Sequence, residues 1–455
     1  MSEIRRVSRH AATILVGQLA VMAFGVADTV IAGRYSDAAL AALSVGSALY
    51  ISVYVGLIGI VQALLPIWAE MLGARRHEAV GRSLRQSLYL CGFICIAGMA
   101  ALLFPGVLLR WAQVPALMQD EVQRYLAVLA FAFAPSLLFR LYSTLNQSLG
   151  KPRLVTWLQI AALGLKIPLS IWLVAGGGGI DAMGAVGCAW ATLAVNYLLL
   201  LLAVLMLRTQ GIYQPYAIWR RMERPDWPQL RTFARLGIPG GLAYLVEVTS
   251  FTLMALFIAR LGTIASASHQ IAASVAAVLY MMPLSMAVAC SARVSFWLGA
   301  GRPDHAKRVV FMGLKLTALI ALALAAIFSI AGQLLAGWYS ASPEVVALAS
   351  TLLVWVAFYH VADALQALCA FLLRCYRITM APLALYGVLL WGLGLFGGYQ
   401  LAYVGLAGHA ATQAASSFWA ASTLAIALVA ACLLGLLLYA VRRSSPATAD
   451  STQAA

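Results

Sequence analysis

The chain has 455 residues, 63% of them hydrophobic and only 10% charged, with a mean hydropathy of +0.90 and a formal net charge of +15. That composition excludes an ordinary soluble domain. Apolar runs of about 20 residues or more, without strict alternation, exclude a membrane barrel and leave an all-α integral membrane bundle.

In chain order, twelve transmembrane helices are predicted at residues 11–33, 40–73, 84–109, 122–149, 153–175, 184–207, 233–259, 265–299, 306–335, 344–373, 378–403 and 412–441. The opening "MSEIRRVSRH" precedes an apolar run too long for a secretory signal, with no evident cleavage site, so a retained helix is expected. Of the 30 Lys and Arg, 22 fall before the first segment, around the even-numbered connections or at the C-terminus. The positive-inside rule then predicts cytoplasmic termini, and it accounts for the basic charge without nucleic acid. The partner implied is the bilayer, anionic headgroups included. All seven cysteines lie in apolar segments and read as packing residues, not as disulfides or metal ligands.

A shift of 226 residues lays "LGARRHEAVGR" (Leu72 to Arg82) on "LGAGRPDHAKR" (Leu298 to Arg308), and small indels are expected around residues 111–121. Each half then carries six helices, giving two pseudo-symmetric lobes of the same orientation, an arrangement suited to transport by rocking. The expected organisation is an N-terminal lobe at 1–207, a cytoplasmic connection at 208–232, a C-terminal lobe at 233–441 and a tail at 442–455.

Three acids lie inside apolar segments: Asp28 in the first, Glu247 in the seventh and Asp363 in the tenth. An uncompensated acid in hydrocarbon costs several kcal/mol, so such residues point to a cavity, a partner or a function. Glu247 shares a helix face with Tyr244 and Phe251, and Asp363 with Tyr359 and Gln366. Oxygen-rich strips of this kind suit a proton or a small hard cation, and aromatic rings suit an organic cation. For Asp28 two readings stand, cation coupling or a structural ion pair with Lys166 or Arg140 of the same half. Under the 226 shift Asp28 falls on Met254, Glu247 on Val21 and Asp363 on Leu137, so no acid has an acidic mate. "AGGGGID" (Ala175 to Asp181) reads as a flexible turn, and His269, His360 and His409 lack a second ligand at metal spacing.

The pieces "ADTVIAG" in the first segment, "GAVGCAWAT" (Gly184 to Thr192), "VEVTSF" (Val246 to Phe251), "ASHQIA" (Ala267 to Ala272), "PLSMAVACSARV" (Pro283 to Val294) and "YHVADALQ" (Tyr359 to Gln366) occur in order along nearly the whole chain. Together they resemble the multidrug and toxic compound extrusion family, in its NorM-like branch. The resemblance implies an exporter of diverse, often cationic drugs, driven by entry of sodium ions or protons. It maps the family's second-lobe cation site onto Glu247 and Asp363 with Tyr359 nearby, and its first-helix acid onto Asp28. The chain departs from relatives at "LKIPLSIW" (Leu165 to Trp172), where asparagines commonly stand in place of Lys166 and Ser170.

The expectation is therefore a monomeric secondary antiporter of a bacterial inner membrane, not an enzyme, with no cofactor beyond a coupling sodium ion or proton. Sodium, if used, would be held by Glu247 and Asp363. The alternative is a lipid-linked oligosaccharide flippase of related fold, which would call for a more cationic centre than these acids provide.

Overall fold

The computed structural model describes residues 3–106, 109, 116–405 and 410–444, so His409, Arg110 and the tail from 445 lie outside the described residues. The first half runs through α1 (Glu3–Tyr35), α2 (Asp37–Gln62), α3 (Leu64–Gly73), α4 (His77–Leu103), α5 (Ala116–Ser148), α6 (Arg153–Ala175) and α7 (Ala185–Thr209). The second runs through α8 (Trp227–Ala259), α9 (Thr263–Gly299), α10 (Pro303–Ile330), α11 (Gly332–Tyr339), α12 (Pro343–Cys375), α13 (Met380–Val404) and α14 (Ala415–Arg443). Among the described residues these supply twelve spans long and apolar enough to cross a membrane. A helix meets that environment because every backbone group finds its partner within the segment, and lipid offers none.

Two spans are less regular than the sequence suggests. The second breaks between α2 and α3, where Pro66 has no N–H to donate to the Gln62 carbonyl one turn earlier. Its counterpart α9 carries Ala292 at the equivalent place and continues unbroken for 37 residues. In α13, the glycine-rich stretch Gly387–Phe396 winds as a π-helix, as does Gln400–Val404. Gly398 lets that helix approach α14 closely, since a Cβ there would lie 2.8 Å from the Phe418 ring.

The internal repeat is written in the helix boundaries. Residues 3–35 match 227–259 at a displacement of 224, residues 37–73 match 263–299 at 226, and residues 116–148 match 343–375 at 227. The turn after α3 and the turn after α9 close identically. Arg75 and Gly301 both take left-handed backbone, with φ of 57° and 66°. Arg75 N–H donates to Leu72 O and Arg76 N–H to Met71 O, while Gly301 donates to Leu298 O and Arg302 to Trp297 O. These displacements correct the register inside the helices: Asp28 corresponds to Thr252, Glu247 to Ala23 and Asp363 to Ser136. A single gap-free shift of 226 misplaced them because one or two residues are gained or lost between helices. The acids still have no acidic mates.

The chain forms two compact units, one of Ala12–Gly241 and the other of Met1–Ala11 with Leu242–Ala455. Their boundaries fall inside α1 and α8, for identifiable reasons. Glu3 receives two hydrogen bonds from the Arg293 guanidinium, at 2.7 and 3.0 Å, which tie the first turns of α1 into the second unit. In the first unit, Gly237 and Gly241 bring the start of α8 against α2, where a Cβ would come within 2.7 Å of the Ile60 side chain and 2.3 Å of the Gly56 carbonyl.

The connection from α7 to α8 is fastened along one face of α4. Arg85 donates to Ala217 O at 2.7 Å and to both oxygens of Glu223. Gln86 donates to Arg224 O and accepts from the Asp226 N–H, both at 2.9 Å. Tyr89 donates to Glu223 O, and Arg220 holds Glu78 through two 3.0 Å bonds. Gly81 makes the approach possible, because a Cβ there would lie 1.8 Å from Tyr216 O.

Gly81→Ala is expected to destabilise the protein by about 1–3 kcal/mol, whereas Gly435→Ala, facing open space, should be neutral or mildly stabilising. Thermal unfolding in detergent compares them. The Arg85 guanidinium also holds the Glu223 carboxyl down at about 2. A depressed carboxyl stabilises above its unfolded pKa and loses that contribution as pH falls through the folded one. Resistance of the connection to proteolysis is therefore expected to decline between pH 4.5 and about 2, and this decline should flatten in Glu223→Gln.

Candidate functional site

In the second unit, α8 and α12 each carry an acid and a ring four residues apart, so each pair shares a helix face. On α8 the acid comes first, Glu247 then Phe251; on α12 the ring comes first, Tyr359 then Asp363. The rings meet edge to face at 5.7 Å. Trp419 of α14 closes a triangle with them, 6.2 Å from Phe251 and 5.9 Å from Tyr359. Glu247, Phe251 and Tyr359 line one narrow cleft together with Ser250, Met254, Leu390, Trp419 and Ser422. Its cavity volume is about 10 Å³, room for roughly one water-sized species.

Behind this cleft the carboxylate of Asp363 is buried and Oδ1 accepts from Gln366 Nε2 at 2.9 Å. The other end of the same amide accepts from the Tyr386 hydroxyl. Gln366 is thus held at both ends, and it presents the acid in one orientation. Asp363 acts electrostatically on Glu247, and so does Arg374. Two carboxylates that share one low-dielectric region cannot both ionise cheaply, so the pair has a use for one positive charge. Arg374 lies three turns beyond Asp363 on α12, packed over the rings of Phe371 at 4.6 Å and Tyr244 at 5.5 Å. Tyr244 accordingly sits beside Phe371 and Arg374, and does not line the cleft.

Three residues of this site escape a reading of the sequence. Spacing does point to Arg374, since eleven residues after Asp363 is the same helix face, although the residue also counts among the basic ones around the tenth connection. Tyr386 and Trp419 come from other helices, and no spacing announces them. The His269 ring lies 5.8 Å from that of Trp419 at a tilt of 51°, and His360 is buried. Among the described residues no group of three or more His, Cys, Asp and Glu is placed to hold a metal.

In the first unit the third acid has a different setting. Lys166 Nζ donates to Asp28 Oδ2 at 2.8 Å and to Thr192 Oγ1 at 2.7 Å, and Ser170 Oγ donates to Asp28 Oδ1 at 3.2 Å. Both charged side chains are buried, Lys166 to 1% exposure. The ammonium also faces the Phe24 ring at 5.7 Å. Each carboxylate oxygen has a donor and the charges cancel, so the cluster is closed. Arg140, the other base considered for Asp28, instead donates to Gln62. The glycines of "AGGGGID" form a tight turn, with positive φ from Gly176 to Gly179 and a Gly177–Ile180 bridge.

The model of the MatE family matches residues 13–172 and 239–400. The "Probable multidrug resistance protein NorM" of Aromatoleum aromaticum is 37% identical over 438 residues, 96% of this chain and 94% of that protein. The "Multidrug resistance protein MdtK" of Pectobacterium atrosepticum is 31% identical, with 88% of each chain covered. Among solved structures, the eukaryotic MATE transporter AtDTX14 superposes with a TM-score of 0.86 at 19% identity, covering 97% of this chain and 98% of that one. The Vibrio cholerae MATE transporter VcmN in its bent form gives 0.85 at 16% identity, with 97% and 98% covered.

Removing the ammonium should strand the buried carboxylate. Lys166→Met is expected to cost about 3–5 kcal/mol, and Lys166→Met with Asp28→Asn should recover most of it. Denaturation midpoints of these two variants and the parent in detergent provide the check; Lys166→Met as stable as the parent would show that the pair contributes no stabilisation.

Proposed function

The chain belongs to the MatE family, and from that premise we infer that it is a multidrug-efflux antiporter whose coupling cation is received by Glu247 and Asp363. The observation that carries this reading is the contact between Phe251 and Tyr359, each one helical turn from a carboxylate, beside a cleft of about 10 Å³ bounded by three aromatic rings. A sodium ion or a proton relieves the repulsion, and both fit that volume. Carboxylate, amide and hydroxyl oxygens suit a hard cation, with Gln366 fixing one carboxylate and Ser250 lining the cleft. Phe251, Tyr359 and Trp419 offer ring edges and faces to an organic cation when the cleft widens.

Coupling demands more than binding. The cation must bind one opening of the transporter more tightly than the other, because equal affinity shifts nothing. Collapse of the aromatic triangle around an occupied acid pair supplies such a difference: it suits a small cation and excludes a drug. Asp28 enters this scheme as a carboxylate already neutralised by Lys166, so the second unit carries the exchange. The exported molecules are small drugs, and the acidic site favours cationic ones. The clustering of Lys and Arg supports cytoplasmic termini in a bacterial inner membrane, where the chain acts as a monomer.

Ethidium export from proteoliposomes, with sodium and pH gradients imposed separately, identifies the cation. Glu247→Gln and Asp363→Asn are each expected to lower gradient-driven export by about 5- to 150-fold. Full coupled export in both variants would sink the assignment.

A further inference from the structure

The pseudo-symmetric faces of α4 and α10 differ in what covers them. On α4, Glu78, Arg82, Arg85 and Tyr89 are engaged by the connection through Arg220, Asp226 and Glu223. The equivalent face of α10 carries Asp304, Arg308, Phe311 and Lys315, and there a groove of about 740 Å³ opens between this stripe and Ile4 of α1. Lys307 also lines it, and Leu319 continues it away from the helix start. Among the described residues none of Asp304, Lys307, Arg308 and Lys315 comes within 4.0 Å of an opposite charge.

The order of side chains along the groove specifies an occupant. Three cations and one acid give a net positive mouth beside the short connection after α9. Lys315 lies about 10 Å further along the helix than Arg308, and its stem, tilted back toward the helix start, carries the ammonium part of the way toward the headgroup level. Phe311, between Arg308 and Lys315, and Leu319, one turn past Lys315, are 38% and 66% exposed and supply an apolar floor running toward the bilayer interior. A soluble anion would use the mouth and leave the floor bare. A molecule with a phosphate at one end and an acyl chain at the other uses both.

We propose that the α10 groove is a binding site for an anionic glycerophospholipid, its phosphate held by Arg308, Lys307 and Lys315 and one acyl chain lying over Phe311 and Leu319. The site is independent of the drug and cation site. It takes the place that the acidic connection takes on α4: there Glu223 and Asp226 neutralise the helix, and here lipid phosphate does. Extra negative charge on the headgroup strengthens binding, and so does the chain, so neither free phosphate nor a zwitterionic lipid substitutes fully.

Native mass spectrometry of the full chain in detergent, titrated with dioleoylphosphatidylglycerol, dioleoylphosphatidylcholine or inorganic phosphate, tests this. Retained phosphatidylglycerol is expected to exceed phosphatidylcholine, with phosphate a poor competitor. Arg308→Gln with Lys315→Gln should reduce retention by about tenfold, and Leu319→Ser, which keeps every charge, should reduce it by a smaller factor. Arg442→Gln with Arg443→Gln, basic residues elsewhere, should leave it unchanged. Equal retention by parent and groove variants overturns the proposal, as does complete displacement by inorganic phosphate. Retention that appears only once residues 445–455 are removed also overturns it, by assigning the groove to the tail.

Discussion

Hydrocarbon offers no water, so a charge or a backbone amide placed there must find its partner within the protein. Nearly every feature of this chain follows from that constraint. It forces the spans into helices, confines the irregular backbone of the Gly176–Gly179 turn to the end of a helix, and decides what can be done with each buried carboxylate.

The same constraint is met in two ways by the acids. Asp28 is closed by a resident ammonium and a hydroxyl, and Lys166 is further fixed by Thr192. Glu247 and Asp363 instead share a region with each other, and the Arg374 guanidinium on the same helix as Asp363 is committed to the faces of Phe371 and Tyr244. A closed pair resists exchange because opening it strands both charges. An acid pair short of one positive charge invites exchange, and this is the physical basis for proposing the second unit as the coupling element. Homologous helices thus hold opposite chemistries, since Asp28 corresponds to Thr252 and Asp363 to Ser136.

A similar divergence marks the polar ends. The face of α4 meets a connection carrying its own acids, made possible at Gly81 by the absence of a side chain. The corresponding position on α10 is Lys307, whose long side chain would obstruct so close an approach and instead lines an open groove. The difference between Gly81 and Lys307 at one repeat-equivalent position bears on whether the connection can pack against the helix.

Much of the architecture was legible before any coordinates, because span number, helix type and the two-fold repeat depend on local composition and on periods that a linear sequence records. The turn after α3 and its copy after α9 could be aligned from "LGARRHEAVGR" and "LGAGRPDHAKR" alone, and the three acids stood out as the groups hydrocarbon tolerates least. Their pairing was not legible. Whether Lys166 or Arg140 met Asp28, whether Arg374 turned toward Glu247, and that Tyr386 and Trp419 completed the second site all depend on how distant helices pack. The sequence by itself determined which side chains needed partners, since that need is set by the solvent. Only the tertiary structure decided which partners they found, because hydrogen bonds and ion pairs act over a few ångströms between residues up to 290 positions apart.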